Sequence, residues 1–198
     1  MPPNSDHPDA DTDPFPVLLA GTIFLGVLAA GIAALFDIPL QEGIRIDLND
    51  ICIGVIATAP LGLALYWLER TNIPYFALFR EKQLNFFSEL GVAFTPARIV
   101  ILSVGAGVCE ELLFRGVVQG GLTSVATLPL AIILASLLFG LLHFSSLLFA
   151  VIATAIGIYL GVLYAITDNL ITPMITHGLY DALAFCYIAR ALARKTKR

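Results

Sequence analysis

Between residues 93 and 189 the sequence carries only six charged side chains: Arg98, Glu110, Glu111, Arg115, Asp168 and Asp181. Arg98 and Asp168 sit near the ends of apolar runs. The other four lie inside those runs, together with two of the chain's three histidines, His143 and His177. An ionisable group inside a bilayer costs at least about 2.5–3.5 kcal/mol on insertion scales, so six of them call for a function. Their spacing suggests which one. Glu111 and Arg115 are four apart, share a helix face and can form an ion pair. Glu110 points about 100° away from Glu111 and is left free for chemistry. His177 and Asp181 repeat the interval of four, as do Phe139 and His143, so a carboxylate can meet one imidazole and an aromatic ring can brace the other. Singly, each pair has a plainer reading: a structural ion pair for Glu111–Arg115, a packing histidine for His143. Together they outweigh those plainer readings and describe a functional cluster.

The elements that must position these groups are membrane helices. The chain has 198 residues, 58% hydrophobic and 13% charged, with a mean hydropathy of +0.88. Soluble domains carry about a quarter charged residues, so a soluble enzyme, a disordered chain and a nucleic-acid binder are all disfavoured. Lys and Arg number 11 against 15 Asp and Glu. Four of those acids (Asp6, Asp9, Asp11, Asp13) fall in the first fourteen residues, which leaves 11 against 11 elsewhere. The net charge of −4 therefore belongs to an acidic leader over 1–14.

A helix needs about 20 mainly apolar residues to cross the hydrocarbon core. Such runs cover 15–36, 51–68, 95–120, 128–144, 147–167 and 170–189. The expected fold is all-α: a polytopic bundle of about six transmembrane spans. Segment 71–92 mixes Phe and Tyr with Arg80, Glu81, Lys82 and Glu89, which suits an interfacial amphipathic helix; a connecting loop is the alternative. Residues 15–190 then form one transmembrane domain, with the motif-bearing core at about 95–190 and a basic tail over 191–198. Basic residues in that tail and in 69–92 place both termini in the cytoplasm of a cell membrane. No positive n-region precedes the first run, so a cleaved signal peptide is not expected. Cys52, Cys109 and Cys186 form no CxxC pair and read as small buried hydrophobes.

The set Glu110-Glu111-xxx-Arg115, Phe139-xxx-His143 and His177-xxx-Asp181, with Gly116 and the FGLLH string ending at His143, resembles the CPBP family of intramembrane proteases. That family includes the CaaX prenyl endopeptidases and relatives linked to bacteriocin immunity. The resemblance implies peptide-bond hydrolysis in a membrane-associated peptide or protein. Glu110 would activate water, His143 would help to hold it, and Glu111 would orient Arg115. His177 and residue 181 would stabilise the oxyanion or ligate a metal. The prenyl-protein branch usually has Asn at the last position, where this chain has Asp181. An ionised Asp cannot donate to an oxyanion, so Asp181 orients a cationic His177, is protonated, or binds metal.

Two questions stay open at this level. Glu110, His143, His177 and Asp181 form a reasonable Zn²⁺ set, although HExxH is absent; a metal-free site using a buried Glu is equally adequate. A proton-coupled carrier or a non-catalytic membrane scaffold could also use these residues, although no internal repeat of the kind many carriers show is present. Convergence of the groups is a further demand. His143 stands fourteen residues beyond Pro129, about 21 Å, which calls for a steeply tilted helix or a later start.

Overall fold

The computed structural model describes residues 13–195, all of whose regular elements are helical. Seven main helices follow one another: α1 Phe15–Leu35, α2 Leu48–Arg70, α3 Pro74–Leu90, α4 Pro96–Glu111, α5 Leu128–Leu142, α6 Leu147–Thr167 and α7 Ile171–Lys195. A π-helical stretch, Leu112–Gln119, and a last turn, Gly120–Leu122, continue α4. The starts follow local chemistry. Asp47 caps α2 by accepting from the Asn49 and Asp50 amides at 2.8 and 3.2 Å. Thr95 caps α4, and Pro96 at the first position gives up no needed N–H. Ser146 caps α6, so the break expected at Ser145-Ser146 is a helix start.

The molecule is apolar outside and polar inside. Leu63, Val100, Leu141 and Val151 are exposed, while Glu111, Arg115, Gln119, Asn169, Thr172 and His177 are buried. That inversion suits a lipid solvent, where polar groups must find partners within the protein. The chain is an integral membrane protein. Helices α1, α2 and α6 are long and apolar enough to cross a membrane, and α5 is apolar but shorter.

Segment 71–92, expected as an amphipathic helix or a loop, is mostly helix, α3. Residues 191–195 of the expected tail continue α7, because Arg and Lys in a last turn favour the helix dipole. The leader falls outside the described residues except for Asp13 and Pro14. The cysteines are free among the described residues but not buried: Cys52 is exposed and the other two are half-buried, since an outward position on a lipid-facing helix is apolar already.

Helix α7 is the hub, packing on α2, α4, α6 and α3, while α5 packs on α6 and α1 on α4. Small residues make the crossings close, as in other membrane bundles. A Cβ at Gly107 would stand 2.6 Å from the Met174 carbonyl oxygen and 2.9 Å from the Gly178 nitrogen. No side chain fits there, so α4 and α7 meet backbone to backbone one turn from Glu110 and Glu111. Beside them the apolar core gathers Leu113, Phe114 and Val117 of the π stretch with Ala29, Ala33, Phe139 and Ala153.

Candidate active site

Glu110 and Glu111 end α4, and one residue's rotation gives them opposite surroundings. Glu111 is fully buried. Its Oε1 accepts from Arg115 Nη1 at 2.8 Å and lies 2.7 Å from His177 Nδ1. Arg115 is buried too, and its Nη2 donates to the Gly157 carbonyl of α6 at 2.9 Å. The ion pair expected from the spacing thus forms, with a third partner from α7 that the spacing did not show.

Glu110 faces the other way. Its Oε2 is buried without a hydrogen-bond partner, 3.8 Å from His143 Nε2 and 4.0 Å from His177 Nε2. Those separations exceed a direct hydrogen bond and suit a shared water. Asp181 Oδ2 is 3.6 Å from the same His177 Nε2. So Asp181 meets the imidazole as expected, but on its free side; Glu111 holds the ring at Nδ1.

His143 lies just past the end of α5 rather than inside a span, because the helix stops at Leu142. The uninterrupted apolar run concealed that end. With 15 residues, α5 is about 22 Å long; it starts at Leu128, and its C-terminal end delivers His143 to Glu110. His143 Nδ1 lies 2.8 Å from the Phe139 carbonyl oxygen. A carbonyl only accepts, so Nδ1 carries the hydrogen and Nε2 of the neutral ring presents a lone pair to Glu110. Phe139 stacks on His143 with centroids 4.4 Å apart, meets His177 edge-on and lies under Arg115. One ring braces three of the polar groups.

The structure brings all six sequence-identified residues together. Side-chain exposure falls from 31% at His143 through 21% at Asp181 and 13% at Glu110 to 0% at Glu111, so the site opens on the His143 side. Helix α3 flanks that mouth: Gln83 Nε2 donates to Ser145 Oγ at 3.3 Å, and Phe79 packs near Phe149.

One residue escaped the sequence reading. Gln119, buried, donates from Nε2 to the Gly161 carbonyl at 3.0 Å. It repeats one turn on what Arg115 does at Gly157. In an α-helix, residues four apart drift about 40° per step; the π winding over Leu112–Gln119 changes that drift, and Arg115 and Gln119 both reach carbonyls of α6. The available signal was the Gly157-xxx-Gly161 spacing, a small-residue pattern that marks close helix approach.

The donor types suit zinc, but among the described residues no three or more His, Cys, Asp or Glu side chains are arranged to hold a metal ion.

Residues 92–183 match the family described as type II CAAX prenyl endopeptidase Rce1-like. The matched stretch is similar to that family. It runs from just past α3 into α7 and holds every residue of the site, while α1, α2 and α3 lie outside it. YpbD, an uncharacterised protein of Bacillus subtilis (strain 168), is 36% identical over 102 residues, covering 50% of each chain. The chain thus spans about half the length of that curated relative. No solved structure matches it. The match to this family agrees with the resemblance drawn from the motifs.

Proposed function

We propose that the protein is an intramembrane endopeptidase of the CAAX-processing type, cutting a membrane-associated peptide with a water activated by Glu110. The observation that carries this reading is the pairing of fates at residues 110 and 111. One carboxylate is anchored at its Oε1 by both Arg115 and His177, while its neighbour makes no side-chain hydrogen bond among the described residues and turns a buried oxygen toward two imidazole nitrogens.

A water between Glu110 Oε2 and His143 Nε2 donates one hydrogen to each, which turns an oxygen lone pair toward the substrate. That oxygen attacks the scissile carbonyl carbon as Glu110 takes the proton. The C=O π electrons move onto the carbonyl oxygen. His177, doubly protonated, donates Nδ1–H to Glu111 and Nε2–H to that oxyanion, in the manner of a preorganised oxyanion hole. When the tetrahedral intermediate collapses, the C–N bond breaks and Glu110 returns the proton to the leaving amine. Asp181 stands on the reactive side of His177, where it offsets the imidazolium charge between turnovers.

Similarity to a prenyl endopeptidase family makes a C-terminally prenylated peptide the first substrate to try. Basic residues along 69–82 and 190–198 support cytoplasmic termini in a cell membrane. Glu110→Gln keeps shape and removes the proton acceptor. General-base help is worth about 10²–10⁴-fold, so cleavage in proteoliposomes should fall by that factor while thermal stability holds. His143→Ala and His177→Ala should fall as far, and pairs should be little worse than singles. A folded Glu110→Gln protein cleaving at the wild-type rate defeats the proposal. A pH-sensitive dye inside the same vesicles tests the carrier reading: proton flux without cleavage would replace this proposal by that one.

A further inference from the structure

The C-terminal ends of α2 and α7 form a basic cup that the peptidase chemistry does not use. A cavity of about 550 Å³ lies between them, lined by Glu69, Arg70, Tyr187, Ala191 and Arg194. Its two arginines stand against one carboxylate, and neither makes an ion pair among the described residues. Arg70 rests over the Tyr66 ring with its guanidinium carbon 4.8 Å from the centroid. On the other side of the last turns of α7, a second cavity of about 460 Å³ is lined by Pro74, Ala77, Leu78, Leu84 and the charged Arg80, Glu81 and Lys195. Here Arg80 is already committed, donating to the carbonyls of Leu68, Glu69 and Thr71 at 2.8, 2.9 and 3.2 Å. Lys195 reaches Asn85 Oδ1 at 3.0 Å.

The two cavities differ in character. The first is cationic, with a phenol beside it; the second has four apolar residues in its wall. Both sit by the C-terminal end of α2, an apolar helix long enough to span, and a bilayer crossed by α2 would set its headgroups near that end. Basic residues there offset the negative helix ends, yet that task does not require a cavity. A basic pocket between membrane helices on the cytoplasmic side is the arrangement that binds anionic headgroups, and an arginine fork matches phosphate oxygens. We infer that the cup between the C-terminal ends of α2 and α7 binds the phosphate of one anionic phospholipid. Arg70 and Arg194 clamp the phosphate, and Tyr187 donates its hydroxyl. The inference rests on the membrane-spanning fold and not on the peptidase reading.

The test is lipid retention by the full-length protein in detergent, measured by native mass spectrometry. Dioleoyl phosphatidylglycerol should bind as one retained molecule, with dioleoyl phosphatidylcholine bound at least tenfold more weakly. Each basic residue at an anionic surface is worth about fivefold, so Arg70→Gln with Arg194→Gln should weaken the anionic lipid by about 25-fold. Lys82→Gln, exposed on α3 and lining neither cavity, should lose fivefold at most. Equal retention of the two lipids by the unaltered protein would overturn the inference without any variant. So would a double variant no weaker than Lys82→Gln, which would reduce the cup to general positive charge. Displacement of the lipid by millimolar inorganic phosphate would overturn it as well, by assigning the cup to a soluble anion.

Discussion

Replacing Arg115 by Met removes a buried guanidinium while keeping most of its volume, so the loss is chiefly electrostatic. Arg115 makes two hydrogen bonds, to Glu111 at 2.8 Å and to the Gly157 carbonyl at 2.9 Å. Stranding one partner of a buried ion pair costs about 3–5 kcal/mol. Here Glu111 keeps His177 Nδ1 at 2.7 Å, and a hydrogen bond to a charged group is worth about 1.5–3 kcal/mol. The expected loss is therefore at the lower end, about 3 kcal/mol. At roughly 2–4 °C per kcal/mol for a chain of this size, thermal unfolding in detergent should move down by roughly 6–12 °C. Adding Glu111→Gln removes the stranded charge, and its amide oxygen can still accept from His177. The double variant should then regain about 2 kcal/mol, or roughly 4–8 °C. Circular dichroism melts of the two proteins decide the matter. If the double variant melts no higher than Arg115→Met, the carboxylate was not held by the guanidinium and the reasoning fails.

Gln119→Leu should leave the melting point within about 1 kcal/mol, because it removes a donor together with a buried oxygen that has no partner. Cleavage should nevertheless fall about tenfold or more through kcat, as a misplaced Glu110 costs rate; unchanged kcat would show that the second rung positions nothing. Gly107→Ala sets a methyl 2.6 Å from the Met174 carbonyl and should destabilise by about 1–3 kcal/mol, with loss of cleavage, both read from the purified protein. At the start of α1, Arg98 Nη1 donates to Asp13 Oδ1 at 3.0 Å and holds the Asp13 carboxyl below its ordinary range. A depressed carboxylate stabilises the fold above its unfolded value near pH 4 and stops doing so as pH falls through its folded value. Asp13→Asn should therefore lower the melting point at pH 7, and that difference should fade as pH falls below about 4 toward the folded value; a difference that does not shrink on acidification would exclude the pair.

How much of this was legible depended on whether a contact lay within one helix. Spacing of four along a helix exposed Glu111–Arg115, His177–Asp181 and Phe139–His143, and hydropathy located the helices that carry them. The link from Glu111 to His177 joins residues 66 apart, and nothing local announces it. The acceptors for Arg115 and Gln119 are backbone carbonyls, which have no residue type to read. The π winding of Leu112–Gln119 has no compositional mark either. Burial of the cysteines was misread for a different reason. In lipid, an apolar neighbourhood in sequence no longer distinguishes the inside from the outside.

The same solvent explains why a carboxylate can be spared for chemistry. In a water-soluble core, an unpaired Glu beside a paired one would be a defect that hydration could relieve. Among helices facing lipid, polar groups find partners only within the protein, and here the partners are shared unequally. Arg115, His177 and the Gly157 carbonyl close one network around Glu111. That network fixes α4, α6 and α7 relative to one another without using Glu110. Phe139 then covers Arg115 and carries His143 to the open side. The closed network supplies position and the free carboxylate supplies reactivity, so a single step along the helix, from 111 to 110, separates the group that builds the site from the group proposed to work in it.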